Sequence, residues 1–126
     1  MMKTPKILFI SGLLALSMNT YAQEYIIDQP AIISGKMATI KSLHPNPEFY
    51  GNKQVAIRPH HVLHVDMNDG RVIQTQLIQL TTSNERIYKQ LFALEHKNVQ
   101  LKCDSLFEGH TAHHTTKVLC SVEKIQ

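Results

Sequence analysis

A small, mainly β barrel carrying one helix is the fold the sequence predicts, on three observations. Strand-like alternation of apolar and polar residues recurs from residue 31 to residue 80. One amphipathic stripe follows, at residues 87–94, and two further alternating runs close the chain at 99–107 and 117–123. A period of two marks half-buried strands, and spacings of three and four mark a helix with one buried face.

The N-terminal residues 1–22 stand outside that fold. Lys3 and Lys6 precede an apolar run at 7–16 broken only by Ser11 and Gly12, and Thr20-Tyr21-Ala22 places small residues at the last and third-last positions before a cut. This is the pattern of a secretory signal peptide, with cleavage expected between Ala22 and Gln23. The run is too short for a spanning helix, which needs about 20 apolar residues. The expected location is therefore periplasmic or secreted, with no stable membrane insertion after cleavage. The mature chain, residues 23–126, has the size of a single domain. Without Lys3 and Lys6, 11 basic residues face 10 acidic ones, so no electrostatic footprint for nucleic acid remains. Six aromatics and no tryptophan in the mature chain provide no obvious stacking platform for sugars or bases.

Within the domain, residues 31–41 read as the first strand, with Gly35 suited to a bulge or sharp bend. His44-Pro45-Asn46-Pro47 is a loop. Alternation resumes at 53–58 through Val55 and Ile57 until Pro59 stops it, and 61–67 is a further strand-like run. Asn68-Asp69-Gly70 signals a hairpin turn, because these residue types tolerate positive φ. Residues 72–80 return as one apolar strand. Thr82 and Glu85 have capping-box spacing, ahead of a helical stripe formed by Ile87, Tyr88, Leu91, Phe92 and Leu94. This order suggests a five-stranded barrel like the oligonucleotide/oligosaccharide-binding (OB) fold, with the helix between its third and fourth strands. An α+β roll is the alternative.

The closing hairpin organises the rest. In its first strand Val99, Leu101 and Cys103 alternate with polar residues; in its second, Val118, Cys120 and Val122 do. Placing Cys103 opposite Cys120 sets Leu101 opposite Val122, Ser105 opposite Val118 and Phe107 opposite Thr116, with the apolar set on one face. The connecting loop is then residues 108–115, long enough to carry function. Two cysteines in an oxidising compartment point to a Cys103–Cys120 disulfide, and a loop of that length is worth about 3 kcal/mol.

Eight histidines in 126 residues is a high count. His110, His113 and His114 form H-x-x-H-H in the hairpin loop; His60, His61 and His64 form H-H-x-x-H beside Pro59. Imidazoles are ligands for zinc and other divalent metals, so both groups are candidate metal or ligand sites. The competing expectation is that they order the loop through hydrogen bonds or face solvent. No nucleophile elbow or phosphate-binding glycine loop is present, and the two cysteines pair with each other.

Residues 99–122 carry a resemblance. Val99, Leu106, Phe107, Thr111, His113, His114, Thr116, Val118 and Leu119, with Gln76-Leu77-Ile78 upstream, resemble a family of small exported bacterial domains of unknown function. That family's hallmark reads V-x-x-x-G-x-L-F-x-x-x-T-x-H-H-H-T-x-V-L-L. Thr115 stands where the pattern has a third histidine, and Cys120 where it has leucine. The resemblance implies an exported domain and brings no activity with it. The expected function is thus a non-enzymatic exported domain, without cofactor, that binds an unidentified protein or small ligand, as inhibitor- and immunity-type proteins do. The alternative is metal binding by the His110–His114 loop. A sugar-binding toxin-like subunit is a third reading, disfavoured by the few aromatics.

Overall fold

The computed structural model describes residues 25–126; the expected signal peptide and its cleavage position between Ala22 and Gln23 lie outside the described residues. The strands are β1 (Tyr25–Ile26), β2 (Ala31–Lys41), β3 (Lys53–Pro59), β4 (Leu63–Asp66), β5 (Val72–Thr75), β6 (Ile78–Thr81), β7 (Asn98–Glu108) and β8 (Val118–Ile125). Among the described residues one helix, α1 (Glu85–Ala93), lies between β6 and β7. Five strands close a barrel in the order β2-β3-β6-β8-β7, and β7 returns to β2. Strands β6 and β8 run parallel; the other barrel pairs are antiparallel. This is the OB-like barrel, with its helix between the third and fourth barrel strands, rather than the α+β roll.

Strand β2 holds the barrel closed. Its first half pairs with β7 from Ala31↔Cys103 to Lys36↔Asn98, and its second half with β3 from Gly35↔Pro59 to Lys41↔Lys53. The two pairings overlap at Gly35 and Lys36, where the strand bends from one neighbour to the other. A Cβ on Gly35 would lie 2.3 Å from the Arg58 carbonyl oxygen, so only glycine permits this crossing. The alternation read from residues 31–37 is the buried–exposed alternation of β2. Inside, Ile33, Met37, Ile57, Ile78, Leu80, Leu101 and Leu106 are fully or almost fully buried, and Leu91 on α1 belongs to the same core.

Several local expectations are corrected. Residues 72–80 are two strands, because Thr75 Oγ1 both donates to the Leu77 carbonyl oxygen (2.9 Å) and accepts from the Leu77 N–H (3.2 Å), turning the chain between them. Strand β5 leaves the barrel and joins β4 and β1 in a separate three-stranded sheet. The hairpin turn at residues 67–71 forms as expected: Asp66 Oδ1 accepts from the Asn68 N–H, and Asn68 has φ 60°. Helix α1 is capped by Asn84, whose side chain accepts from the Ile87 N–H, and not by a Thr82–Glu85 box. Thr82 caps one step earlier, accepting from the Asn84 N–H.

The register of the closing hairpin also differs. Cys103 lies opposite Val122 and Cys120 opposite Leu106, with irregularities between Lys102 and Ser105. A bulge supplies an extra residue that reverses the inward phase. The buried positions of β7 therefore run Leu101, Cys103, Leu106, and Phe107 turns to the outer wall. The disulfide forms nonetheless. The Cys103 and Cys120 Cα atoms are 5.5 Å apart, inside the range a disulfide spans, and both residues are fully buried.

Candidate functional site

Register alignment across the barrel sets Ala38, Ala56, Gln79, Leu119 and Phe107 in one outward-facing row. Outward positions of a barrel normally meet water. Here Ala56 and Leu119 are fully buried and Gln79 is 6 % exposed. The cover is the histidine loop, residues 109–117, folded back over the wall. It is longer at its C-terminal end than the 108–115 expected, since β8 begins only at Val118.

The loop is held through its main chain. The side-chain oxygen of Gln79 accepts from the Thr115 N–H at 2.7 Å, and its amide donates to the His113 carbonyl oxygen at 3.2 Å. Gln54 on β3 donates to the same His113 oxygen at 3.0 Å and accepts from the Thr115 hydroxyl. The Thr116 hydroxyl accepts from the Gln79 N–H at 3.0 Å and donates to the Val118 oxygen at 2.7 Å. Gly109 lets the loop lie this close, because a Cβ there would meet the Thr116 oxygen at 2.4 Å. At the loop's entrance Arg71 binds Glu108 by two hydrogen bonds, at 2.9 and 3.1 Å. That guanidinium holds the Glu108 carboxyl below the usual carboxylate range.

The histidines of the loop are divided between two contacts. His113 packs against His44 and Phe49 of the β2–β3 loop, residues 42–52, with ring centroids 4.5 and 5.2 Å away. His114 packs against His110 at 5.1 Å and Phe107 at 5.6 Å. Their protonation follows from their partners. A carbonyl oxygen only accepts, so the 2.9 Å contact between His110 Nδ1 and the Glu108 oxygen puts a proton on Nδ1 and leaves Nε2 a lone pair. His114 Nδ1 accepts the His110 N–H at 3.1 Å, so the neutral His114 ring carries its proton on Nε2. Of these two rings, only His110 has its lone pair on Nε2 with Nδ1–H bound to a carbonyl oxygen, the tautomer metal-bound histidines use. Among the described residues no three His, Cys, Asp or Glu side chains converge in a way that could hold a metal ion. Burial pushes the His114 pKa down, helped by the neighbouring His110 and His113.

His60, His61 and His64 are all exposed. His60 donates its main-chain N–H to the Ser34 oxygen, and His64 lies opposite Gln74 in the small sheet. They line the turn from β3 into β4 and form no common site.

Gln54, Gln79, His44 and Phe49 complete the arrangement and are not marked by any sequence motif. The one available signal is a glutamine inside an apolar strand, Ile78-Gln79-Leu80. Its importance is testable. Gln79→Ala would leave the Thr115 N–H without its acceptor and the His113 oxygen with Gln54 as its remaining donor. A stability loss of about 1–3 kcal/mol is expected, read by thermal unfolding, with hydrogen exchange accelerated at residues 109–117. Gln54→Ala should cost less, since the Gln79 pair remains.

The architecture is thus that of a small OB-like barrel whose β2–β3 and β7–β8 loops meet, and whose outer wall one of them covers. Residues 77–126 match the family described as Domain of unknown function (DUF4431), a segment that spans β6, α1, β7, the histidine loop and β8. Strands β1 to β5, with His44 and Phe49, lie before the matched segment. No curated protein and no solved structure matches the chain.

Proposed function

We propose that the protein is an exported, non-enzymatic domain that binds a partner protein through the joined loops, as inhibitor- or immunity-type domains do. The observation that carries this reading is the presentation of Leu43 and Tyr50, 66 % and 65 % exposed, on a loop that is itself fixed. Main-chain bonds from Ser42 to Asn52, Gly51 to Ser42 and Tyr50 to Asn46 close residues 42–52 on themselves, and the Phe49–His113 contact ties them to the histidine loop. Exposed aromatic and aliphatic side chains on a rigid loop lose little entropy on binding and bury large areas, as protein-recognition anchors do. OB barrels take oligonucleotides and oligosaccharides on the wall between these same loops. Here the chain's own loop occupies that wall, which favours a protein partner over a polymer. Two features support export: the apolar N-terminal segment with its small-residue cleavage pattern, and the buried disulfide, which belongs to oxidising compartments. Among the described residues no helix is long and apolar enough to cross a membrane. No cofactor enters this reading.

A photo-reactive phenylalanine analogue replacing Tyr50 should capture one discrete species in the native host. The same analogue replacing Lys89, on the exposed face of α1, should not. Leu43→Asp should abolish the product without lowering the melting temperature. Equal labelling from both positions, or none from either, would overturn the reading.

A further inference from the structure

The histidines of the two loops are arranged in pairs that acid would disrupt. His44 and His113 lie 4.5 Å apart between the loops, and His110 and His114 lie 5.1 Å apart within one. In each pair one ring accepts a main-chain N–H at Nδ1: His44 from Asn46 at 3.0 Å, and His114 from His110 at 3.1 Å. A protonated imidazole donates from both nitrogens. Proton uptake would therefore set donor against donor at both positions, and place like charges side by side in both pairs.

Around His114 and His113 the surroundings do not compensate. Around His114 stand His110, His113 and the Phe107 ring. The Glu108 carboxylate, engaged by Arg71, also attracts a protonated His110, but no carboxylate acts on His114. Around His113 stand His44, Phe49 and the neutral amides of Gln54 and Gln79. Glu48 is the one carboxylate in residues 42–52; its side chain has no ion pair with these histidines.

We propose that these loops form an acid-released latch: residues 109–117 lie docked on the β3–β6–β8 wall while His114 is neutral, its Nδ1 accepting the His110 N–H beside the His110 ring, and lift from it when that ring takes up a proton. Release would uncover Ala56, Gln79 and Leu119 and separate the histidine loop from the loop that carries Leu43 and Tyr50. It adds regulation to the binding surface proposed above, and an exported protein meets directly the acidity of its surroundings. The depressed pKa of His114 has the matching sign. The undocked ring takes up its proton at higher pH than the docked one, so docking is fully favoured above about pH 6.5 and weakens as pH falls through the docked pKa below it.

Amide hydrogen exchange at pH 7.5 and 5.0, corrected for the intrinsic pH dependence of exchange, tests the latch. The Thr115 and Gln79 amides should lose protection by about tenfold per pH unit for each proton taken up on opening, while Ile57 and Leu101 in the core keep theirs. His44→Asn with His114→Asn supplies oxygen acceptors for the same N–H groups without titrating. That double variant should show at least tenfold more protection at pH 5.0 than wild type. His113→Phe, which keeps a ring against His44 and Phe49 but removes one charge, should move opening to lower pH even if the double variant fails to fold. Unchanged protection of the wild-type loop at pH 5.0, or variants that open as readily as wild type, would overturn the proposal. The measurement contains no partner, so its failure leaves the Tyr50 cross-linking result standing, and the reverse holds too.

Discussion

Gly35→Ala is expected to lower stability by about 3 kcal/mol, the upper end of what overpacking normally costs, although alanine adds a single methyl group. The methyl would sit 2.3 Å from the Arg58 carbonyl oxygen, 2.8 Å from its carbon and 2.8 Å from Pro59 Cα. All three are main-chain atoms, so no side chain can swing aside to make room. Moving β3 away would break pairing at Lys36↔Arg58 and Gly35↔Pro59. Moving β2 instead would break Gly35↔Val99 on its other side. Both neighbours close the barrel, so either movement strains the whole ring of strands. In a domain of about a hundred residues a 3 kcal/mol loss lowers the melting temperature by more than about ten degrees. Gly109→Ala makes the comparison sharp. Its methyl also meets a carbonyl oxygen, that of Thr116 at 2.4 Å, but only the histidine loop needs to yield. Its cost should be smaller and confined to loop protection. Thermal unfolding of both variants checks the pair, and an alanine at position 35 melting within about two degrees of wild type would show that the corner is not rigid.

The parts of this fold legible in the sequence are those decided by neighbours along the chain. Residues 31–37 alternate because one side of β2 is core and the other water, and the glycine at its bend was visible as an interruption. The Asn68-Asp69-Gly70 turn and the helical stripe through Leu91 are likewise local. The hairpin register was not legible, because one bulged residue between Lys102 and Ser105 reverses the phase. A strict period of two sends Phe107 inward, whereas the chain sends Leu106 inward and buries Phe107 partly beneath the loop. The division of residues 72–80 depends on one threonine side chain bonding two residues on, within a run whose apolar content reads as continuous. The small sheet was missed because β1 is two residues long, and its parallel pairing with β4 joins segments nearly 40 residues apart. At the candidate site, the histidine loop announced itself by composition, but what it rests on did not. Gln79 meets Thr115 across 36 residues and Gln54 meets it across 61. His44, lying in neither histidine group, turned out to be the ring that receives His113.

Reduction of the Cys103–Cys120 bond is expected to cost about 3 kcal/mol and lower the melting temperature by more than about ten degrees. The two cysteines are 17 residues apart, and the link limits the unfolded chain by closing a loop of that length. Against a total stability of about 5–15 kcal/mol for a small domain, this is a large share. The bond joins adjacent strands of a hairpin with seven residue pairs, as many as join β2 to β3. The native strands therefore have no need of it to find each other, and the reduced protein should keep its fold at low temperature. Replacing both cysteines by alanine should cost more than reduction, because each side chain is fully buried and its removal leaves space in the core. The loop enclosed by the bond contains the whole histidine segment, yet that segment is fastened by Gln54, Gln79 and Thr116 rather than by sulfur. Reduction should thus depress global unfolding while leaving protection of the Thr115 amide, relative to neighbouring strands, nearly unchanged at pH 7.5. Melting curves with and without reductant, paired with hydrogen exchange at that pH, separate the two effects. Equal melting temperatures in both states would show that the bond contributes nothing to stability. Selective loss of Thr115 protection on reduction would show instead that the bond, not the glutamines, positions the loop.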